Sequence, residues 1–372
     1  MQRIPELNYM NAQDDRQARG SRFQAGVNQD VWDFSDLNLK AQLARALEEG
    51  SSKYPIHRSL RFAARVELES LFDDLALNLG WHAHRLDSGT MILDAEGLFI
   101  SAYGGRKNEY CSCYFGIWAR TADHATAARA AILERVGDAR IVEPMFSIDW
   151  QFLTSKNELQ SATIEEMADD VLLNEAYPDL KTGVAGFIHG YLGAPETVLV
   201  LQGPPGTGKT RLIRAILGEM SRRKSGQACA LYTGDKHTLE SDEIFVKFIT
   251  GYDDAFVVED ADHILKPRAQ GNEHLHRFLA IADGVVRAQG RKIIFSTNLP
   301  NIGDLDDALI RPGRCFARLT IRELDVSETR SLLAKLGAEQ PRRASSAMAA
   351  LTSVPQNTYS LAEIYQAFAR AA

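Results

Sequence analysis

Eight consecutive residues, Gly203-Pro204-Pro205-Gly206-Thr207-Gly208-Lys209-Thr210, combine three glycines, a lysine and a threonine at a G-x4-G-K-T spacing. Glycines let backbone N–H groups converge on anionic oxygens, the lysine adds a point charge, and the threonine offers a hydroxyl to magnesium. Pro205, Gly206, Thr207, Gly208, Lys209, Thr210 and the adjoining Arg211 are therefore the expected contacts of a bound polyphosphate. The plain alternative is a glycine-rich turn, which the flanking elements below make less attractive. Some fifty residues on, Glu259 and Asp260 follow an apolar run, Ala255-Phe256-Val257-Val258. Two adjacent acids there would divide two tasks, holding the metal's water shell and polarising an attacking water. Thr210 and one of these two acids are the candidate metal ligands. Asn298, closing Lys292-Ile293-Ile294-Phe295-Ser296-Thr297, is placed to orient that water or a terminal phosphate, and is otherwise a turn residue. Arg311 and Arg314 frame a short basic turn, Arg311-Pro312-Gly313-Arg314, which in isolation reads as solvated.

These residues need a scaffold that brings strand ends together. Thr197 to Leu201 is a continuous apolar run suited to a strand buried on both faces, and it enters the glycine-rich segment directly. Leu212, Ile213, Ile216, Leu217 and Met220 recur at helical spacing behind it, with Arg222, Arg223 and Lys224 at the negative end of the dipole and Gly226 as a stop. Strands and helices then alternate as in a parallel sheet. Glu165 to Leu192 reads as two helices broken at Pro178. Leu332, Leu333, Leu336, Leu361, Ile364 and Phe368 show the apolar spacing of a small terminal helix bundle.

Upstream, residues 1–60 read as an arm of little order with a short helix at Leu37 to Leu47. Residues 61–165 read as a separate α/β or α+β domain. Its expected elements are a helix bearing Val66, Leu68, Leu71, Leu75 and Leu77, strands at Met91–Ile100, Tyr110–Trp118 and Arg140–Phe152, and a helix at Ala122–Val136. Trp81, Trp118 and Trp150 are expected to fill its core. Cys111 and Cys113 alternate onto one strand face without a second cysteine or histidine pair at zinc spacing, and His82 and His84 read the same way.

The 372 residues carry 42 Lys and Arg against 49 Asp and Glu, a net charge of −7, which gives no general pull toward nucleic acid. Four cysteines without a secretory leader point to a reducing compartment, and no apolar run reaches the roughly 20 residues needed to span a bilayer.

With the glycine-rich loop, the acidic strand end, Ser296-Thr297-Asn298 and then Leu305 to Arg314 in this order, the sequence resembles the AAA family of P-loop ATPases over about 166 to 372. The resemblance implies a P-loop NTPase core with a parallel sheet at 166–323 and a helical lid at 324–372. It also implies ATP and Mg2+ as cofactors, hydrolysis of ATP to ADP and phosphate, and a hexameric ring of identical chains. Arg311 and Arg314 would act as arginine fingers on a neighbour's γ-phosphate. Within the family, Gly284 to Asn298 and Leu305 to Arg314 look most like the branch whose mitochondrial members translocate the folded Rieske protein, here without their membrane span. Most AAA proteins read Asp-Glu where this chain has Glu259-Asp260. By position Glu259 serves magnesium and Asp260 the water, and the reverse split stays open.

No aromatic-hydrophobic-glycine pore loop precedes the helix expected at Ser241, since Tyr232 belongs to the strand itself, and no arginine stands at the lid position used by some branches. The expected function is ATP-driven remodelling or translocation of a protein partner bound by residues 61–165, in the cytoplasm of a bacterium or under a phage genome. The alternatives are a nucleic-acid-associated motor or loader, and a slow ATP-dependent switch.

Overall fold

The computed structural model describes residues 54–85, 88–106, 110–142, 145–155, 158–168, 171–224, 228–267, 275–283, 290–300, 305–353 and 356–371. The helix expected at Leu37 to Leu47, most of the 1–60 arm, Gly226 and most of the 284–290 stretch lie outside the described residues. The chain divides after Val142 into two compact units.

The first unit runs β1 (Ile56–Ala64), α1 (Leu68–Asn78), β2 (His82–Arg85), β3 (Thr90–Ala95), β4 (Leu98–Arg106), β5 (Cys111–Ala119), α2 (Ala122–Val136) and β6 (Arg140–Ile141). All its strand pairs are antiparallel, in the order β2-β3-β4-β5-β1-β6. Alternation selects one face: Leu60, Phe62 and Ala64 of β1 and Phe115, Ile117 and Ala119 of β5 are buried with Leu68, Leu71, Phe72 and Leu75 of α1 and Ala125, Ala128, Ile132 and Val136 of α2. Antiparallel pairing with helices packed against the sheet selects α+β from the two forms left open above. β1 opens at Ile56, ahead of the expected start at 61. The apolar run from Met91 is two strands, because Gly97, at φ 72°, turns the chain between β3 and β4.

The second unit begins with β7 (Met145–Leu153) and β8 (Leu159–Met167), followed by α3 (Gly183–Gly193), β9 (Val198–Gln202), α4 (Lys209–Arg223), β10 (Ala228–Thr233), α5 (Lys236–Glu240) and α6 (Glu243–Thr250). It continues with β11 (Ala255–Val258), α7 (Asp262–Leu265), α8 (Leu275–Asp283), β12 (Lys292–Thr297), β13 (Cys315–Thr320), β14 (Leu324–Asp325), α9 (Val326–Leu336), α10 (Pro341–Thr352), β15 (Thr358–Tyr359) and α11 (Leu361–Arg370). Seven strands form one sheet in the order β13-β9-β12-β11-β10-β7-β8, parallel throughout except for the edge strand β8. β9, β11 and β12 are buried at every position, as expected of central parallel strands. Leu199, Leu201, Val257 and Ile294 face α3, α4 and the terminal helices. Val198, Val200, Phe256, Val258 and Phe295 face α6, α7 and α8, where Phe278 stands 4.9 Å, ring to ring, from both Phe245 and Phe295.

Four sequence expectations are corrected here. The boundary expected at 165 moves to 142, because β7 lies parallel to β10 from Ala228↔Phe146 to Tyr232↔Trp150 and β8 pairs back on β7. Trp150 therefore belongs to the second unit, 45% exposed, and not to the core of the first. The helix expected from Glu165 is the end of β8, and among the described residues up to 192 a one-turn 3-10 segment at Asn174–Ala176 is followed by α3. The helix expected to open at Ser241 is preceded by α5, whose start Asp235 caps by accepting from His237 N and Thr238 N.

At the far end α9, α10 and α11 bury Leu332, Leu333, Ala347 and Ile364. Asp325 with Glu328 and Ser360 with Glu363 form reciprocal capping boxes that set the first turns of α9 and α11.

Candidate functional site

β9, β10, β11 and β12 run the same way, so the loops leaving them converge at one edge of the sheet. The 203–208 segment leaves β9 there and folds straight into α4. Gly203 has to be glycine because a Cβ would stand 1.9 Å from the Ile321 carbonyl oxygen. Gly208, at φ 96°, adopts a backbone that side chains disfavour, and a Cβ would meet Leu361 Cδ1 and the Tyr177 hydroxyl at 2.8 Å each. Thr207 Oγ1 donates to Pro204 O at 2.8 Å, Tyr177 donates to Gly208 O at 2.9 Å, and Ala362 N at the start of α11 donates to Gly206 O at 3.0 Å. The loop is thus held by its own hydroxyl, by the segment before α3 and by the terminal helix.

Lys209 directs its ammonium inward, donating to Gly203 O at 2.8 Å, Pro204 O at 2.9 Å and Asn298 Oδ1 at 2.9 Å. Burial lowers its pKa from the ordinary lysine value, against the opposing pull of Asp260, Asp262 and Glu259. Asn298 Nδ2 donates in turn to Asp260 Oδ1 at 3.0 Å, so one amide links the lysine to an acid. Asp260 itself is exposed and sits at φ 49°, the only positive φ outside glycine among the described residues. Aspartate tolerates that conformation better than most residues, and such outliers gather where side-chain direction matters.

The Thr210 hydroxyl donates to Glu259 Oε1 at 2.5 Å, and the Tyr232 hydroxyl donates to Oε2 at 3.0 Å. A hydroxyl beside a carboxylate at the start of α4 is an oxygen donor pair that suits a hard divalent ion, which completes its shell with phosphate and water. No group of three or more His, Cys, Asp or Glu arranged to hold a metal ion occurs among the described residues, and a magnesium site of this kind needs none.

The hydrogen bonds group the expected site residues into two neighbouring sets, Lys209 with Asn298 and Asp260, and Thr210 with Glu259. Pro205 and Gly206 are exposed on the loop and Thr207 is buried within it. Arg211 stacks on the Tyr365 ring of α11, with the guanidinium carbon 4.6 Å from the ring centre. Arg311 and Arg314 stand elsewhere. Their turn enters β13 at its amino end, where Cys315 registers with Val198 and Val198 N donates to Arg314 O at 3.0 Å. The phosphate loop leaves β9 after Gln202, at the opposite edge. A five-residue strand spans about 16 Å, so this turn faces away from the loop of its own chain. Arg311 is exposed, and Arg314 donates a guanidinium N–H to Ala308 O.

Several residues were missed in the sequence. Asp262 accepts from Thr297 Oγ1 at 2.5 Å and from Asn298 N at 2.9 Å, fixing the strand end that presents Asn298. Its place two residues after Asp260 was the available signal. Tyr177 and the Tyr232 hydroxyl had none, because each acts across a long separation in the chain. Cys111 and Cys113 do share a buried face, with Sγ atoms 4.0 Å apart, and His82 and His84 stack edge-on at 4.3 Å.

Comparison with known proteins agrees with this geometry. Residues 199–323 match the model of the ATPase family associated with various cellular activities (AAA). The chain is 29% identical over 222 residues to an ATP-dependent zinc metalloprotease YME1 homolog of Caenorhabditis elegans, covering 52% of this chain and 28% of that protein. It is 28% identical over 211 residues to spastin of Anopheles gambiae, covering 53% of this chain and 24% of the other. It is 26% identical over 179 residues to the human peroxisomal ATPase PEX6, covering 45% and 17%. The matched stretch thus spans between about a sixth and somewhat over a quarter of these relatives. No described helix is long and apolar enough to cross a membrane. The second unit carries an AAA-family ATPase domain.

Proposed function

We propose that this AAA-family chain hydrolyses ATP with Mg2+ in a ring of identical copies, and uses the cycle to remodel or translocate a protein partner bound by the first unit. The observation that carries the assembly is the position of Arg311 and Arg314 at the sheet edge opposite their own phosphate loop. From there they reach a γ-phosphate only on a neighbouring copy, as arginine fingers supplied in trans do.

Lys209 and the loop N–H groups bind the phosphate oxygens, with Tyr177 and Ala362 keeping the loop in shape. Thr210 and Glu259 would hold the magnesium, which would supply charge neutralisation during phosphoryl transfer. Asp260 takes a proton from the attacking water, and Asn298 orients that water beside it. Much of the catalysis is positioning and electrostatics, since a loose phosphoryl-transfer transition state offers little covalent work.

A protein partner is favoured over nucleic acid by the net charge of −7 and by the resemblance to a branch that handles a folded protein. The test is particle mass with and without Mg-ATP, using Asp260→Asn to slow turnover, beside wild-type phosphate release. A nucleotide-stabilised ring with steady hydrolysis is expected. A monomer under all conditions would leave Arg311 and Arg314 without a site to complete and would overturn the assembly. A ring with negligible turnover would favour the slow switch. Mixing Arg314→Ala with Lys209→Ala subunits should restore activity in shared sites.

A further inference from the structure

Glu259 is held on both oxygens, and one of the two holders has no part in the mechanism above. Tyr232, on β10 beside the acidic strand, donates its hydroxyl to Glu259 Oε2 at 3.0 Å, while Thr210 takes Oε1. The strand registers set the geometry: Tyr232 lies between Val257 of β11 and Trp150 of β7. Trp150 packs edge-on against the Tyr232 ring, with centroids 5.9 Å apart and planes at 86°. That contact comes from the β7–β8 hairpin, the pair of strands that extends the sheet past β10. The indole limits how far the phenol ring can swing, and the hydroxyl stays aimed at the carboxylate.

We propose that Tyr232 is a positioning residue for the metal-holding carboxylate. It keeps Oε2, so that Glu259 presents Oε1 alone to the Thr210 side of the site, where the divalent ion is to sit. Thr210 and Glu259 would hold the ion, and the Tyr232 bond to Oε2 would keep the carboxylate oriented toward it. Glutamate otherwise loses considerable rotamer freedom when it is ordered. With Tyr232 in place, that ordering precedes metal binding, and the ion meets a carboxylate already aimed. This rests on the assignment of Glu259 to the metal, and its test has to separate the two.

The experiment is Mn2+ titration of the full chain by electron paramagnetic resonance at saturating ADP, with ADP affinity in EDTA and thermal melting measured beside it. Tyr232→Phe keeps the ring against Trp150 and removes only the donor. It should weaken Mn2+ binding about tenfold, the size of one charge-assisted hydrogen bond, with metal-free ADP binding and melting unchanged. In a Glu259→Gln background the same change should have no further effect. Wild-type Mn2+ affinity in Tyr232→Phe, with Glu259→Gln impaired, would overturn the positioning role and leave the metal assignment intact. Equal loss from Tyr232→Phe in both backgrounds would also overturn it, since the effect would not pass through Glu259. Unchanged Mn2+ affinity in Glu259→Gln alone would instead overturn the assignment on which the role rests.

Discussion

Asp260→Asn and Glu259→Gln, compared side by side, test the division of labour at the acidic strand end. Thr210 Oγ1 meets Glu259, whereas Asn298 meets Asp260, so the two acids are already committed to different neighbours. Asparagine accepts a φ of 49° about as readily as aspartate, so Asp260→Asn should cost little stability, unlike Asp260→Ala, for which strain of about 1 kcal/mol is expected. What the amide loses is basicity. A positioned general base contributes about 10²–10⁴ in rate, or roughly 3–5 kcal/mol at 1.36 kcal/mol per tenfold. Asp260→Asn should therefore bind a fluorescent ATP analogue with magnesium at near wild-type affinity while phosphate release falls by at least about a hundredfold. Glu259→Gln keeps an acceptor for Thr210 but removes a charge from the metal's side, so the magnesium needed for half-maximal release should rise by at least about tenfold. The reasoning is refuted if Asp260→Asn turns over within about threefold of wild type while Glu259→Gln retains its magnesium requirement and loses turnover, for the roles would then be reversed.

Two further outcomes follow from the fold. A chain started at residue 143 should melt cooperatively and stay soluble. One started at 166 loses β7 and most of β8, uncovers the β10 edge and deprives the Ser221 hydroxyl of its acceptor at Met145 O, so it should aggregate; equal behaviour by light scattering and circular dichroism would restore the boundary at 165. Lys292, 3% exposed, donates to Ala194 O and Glu196 O, and burial lowers its pKa from 10.5 to about 8. Between those values the unfolded chain binds more protons than the folded one, so this lysine's contribution to stability rises with pH, by an amount on the order of 3 kcal/mol. Denaturant melts at pH 7.5 and 10 should show a flatter pH dependence in Lys292→Met than in wild type, and parallel curves would count against it.

What was legible in the sequence was whatever is local. Gly203 to Thr210 announced itself because the strand that feeds the loop and the helix that leaves it are its neighbours in the chain, and because only glycine satisfies backbones such as those of Gly203 and Gly208. Glu259, Asp260 and Asn298 stood out for the same reason, each at the end of a continuous apolar run that had to be a buried strand. β7 defeated this reasoning. Phe146, Ile148 and Trp150 alternate as any half-buried strand does, and alternation says which face is covered but not by which sheet. The partner that decides the matter, β10, comes some eighty residues later. β8 failed differently: it is an edge strand bearing Glu165 and Glu166, acids that fit an exposed helix as well as an exposed sheet margin. Both errors bear on the site. Once β7 joins the larger sheet, Trp150 moves from a presumed core of the first unit to a place against Tyr232, two side chains from Glu259. β7, next to the edge of the sheet, then becomes part of what aims the acid, a connection that depends on strand order and that no motif near Glu259 records.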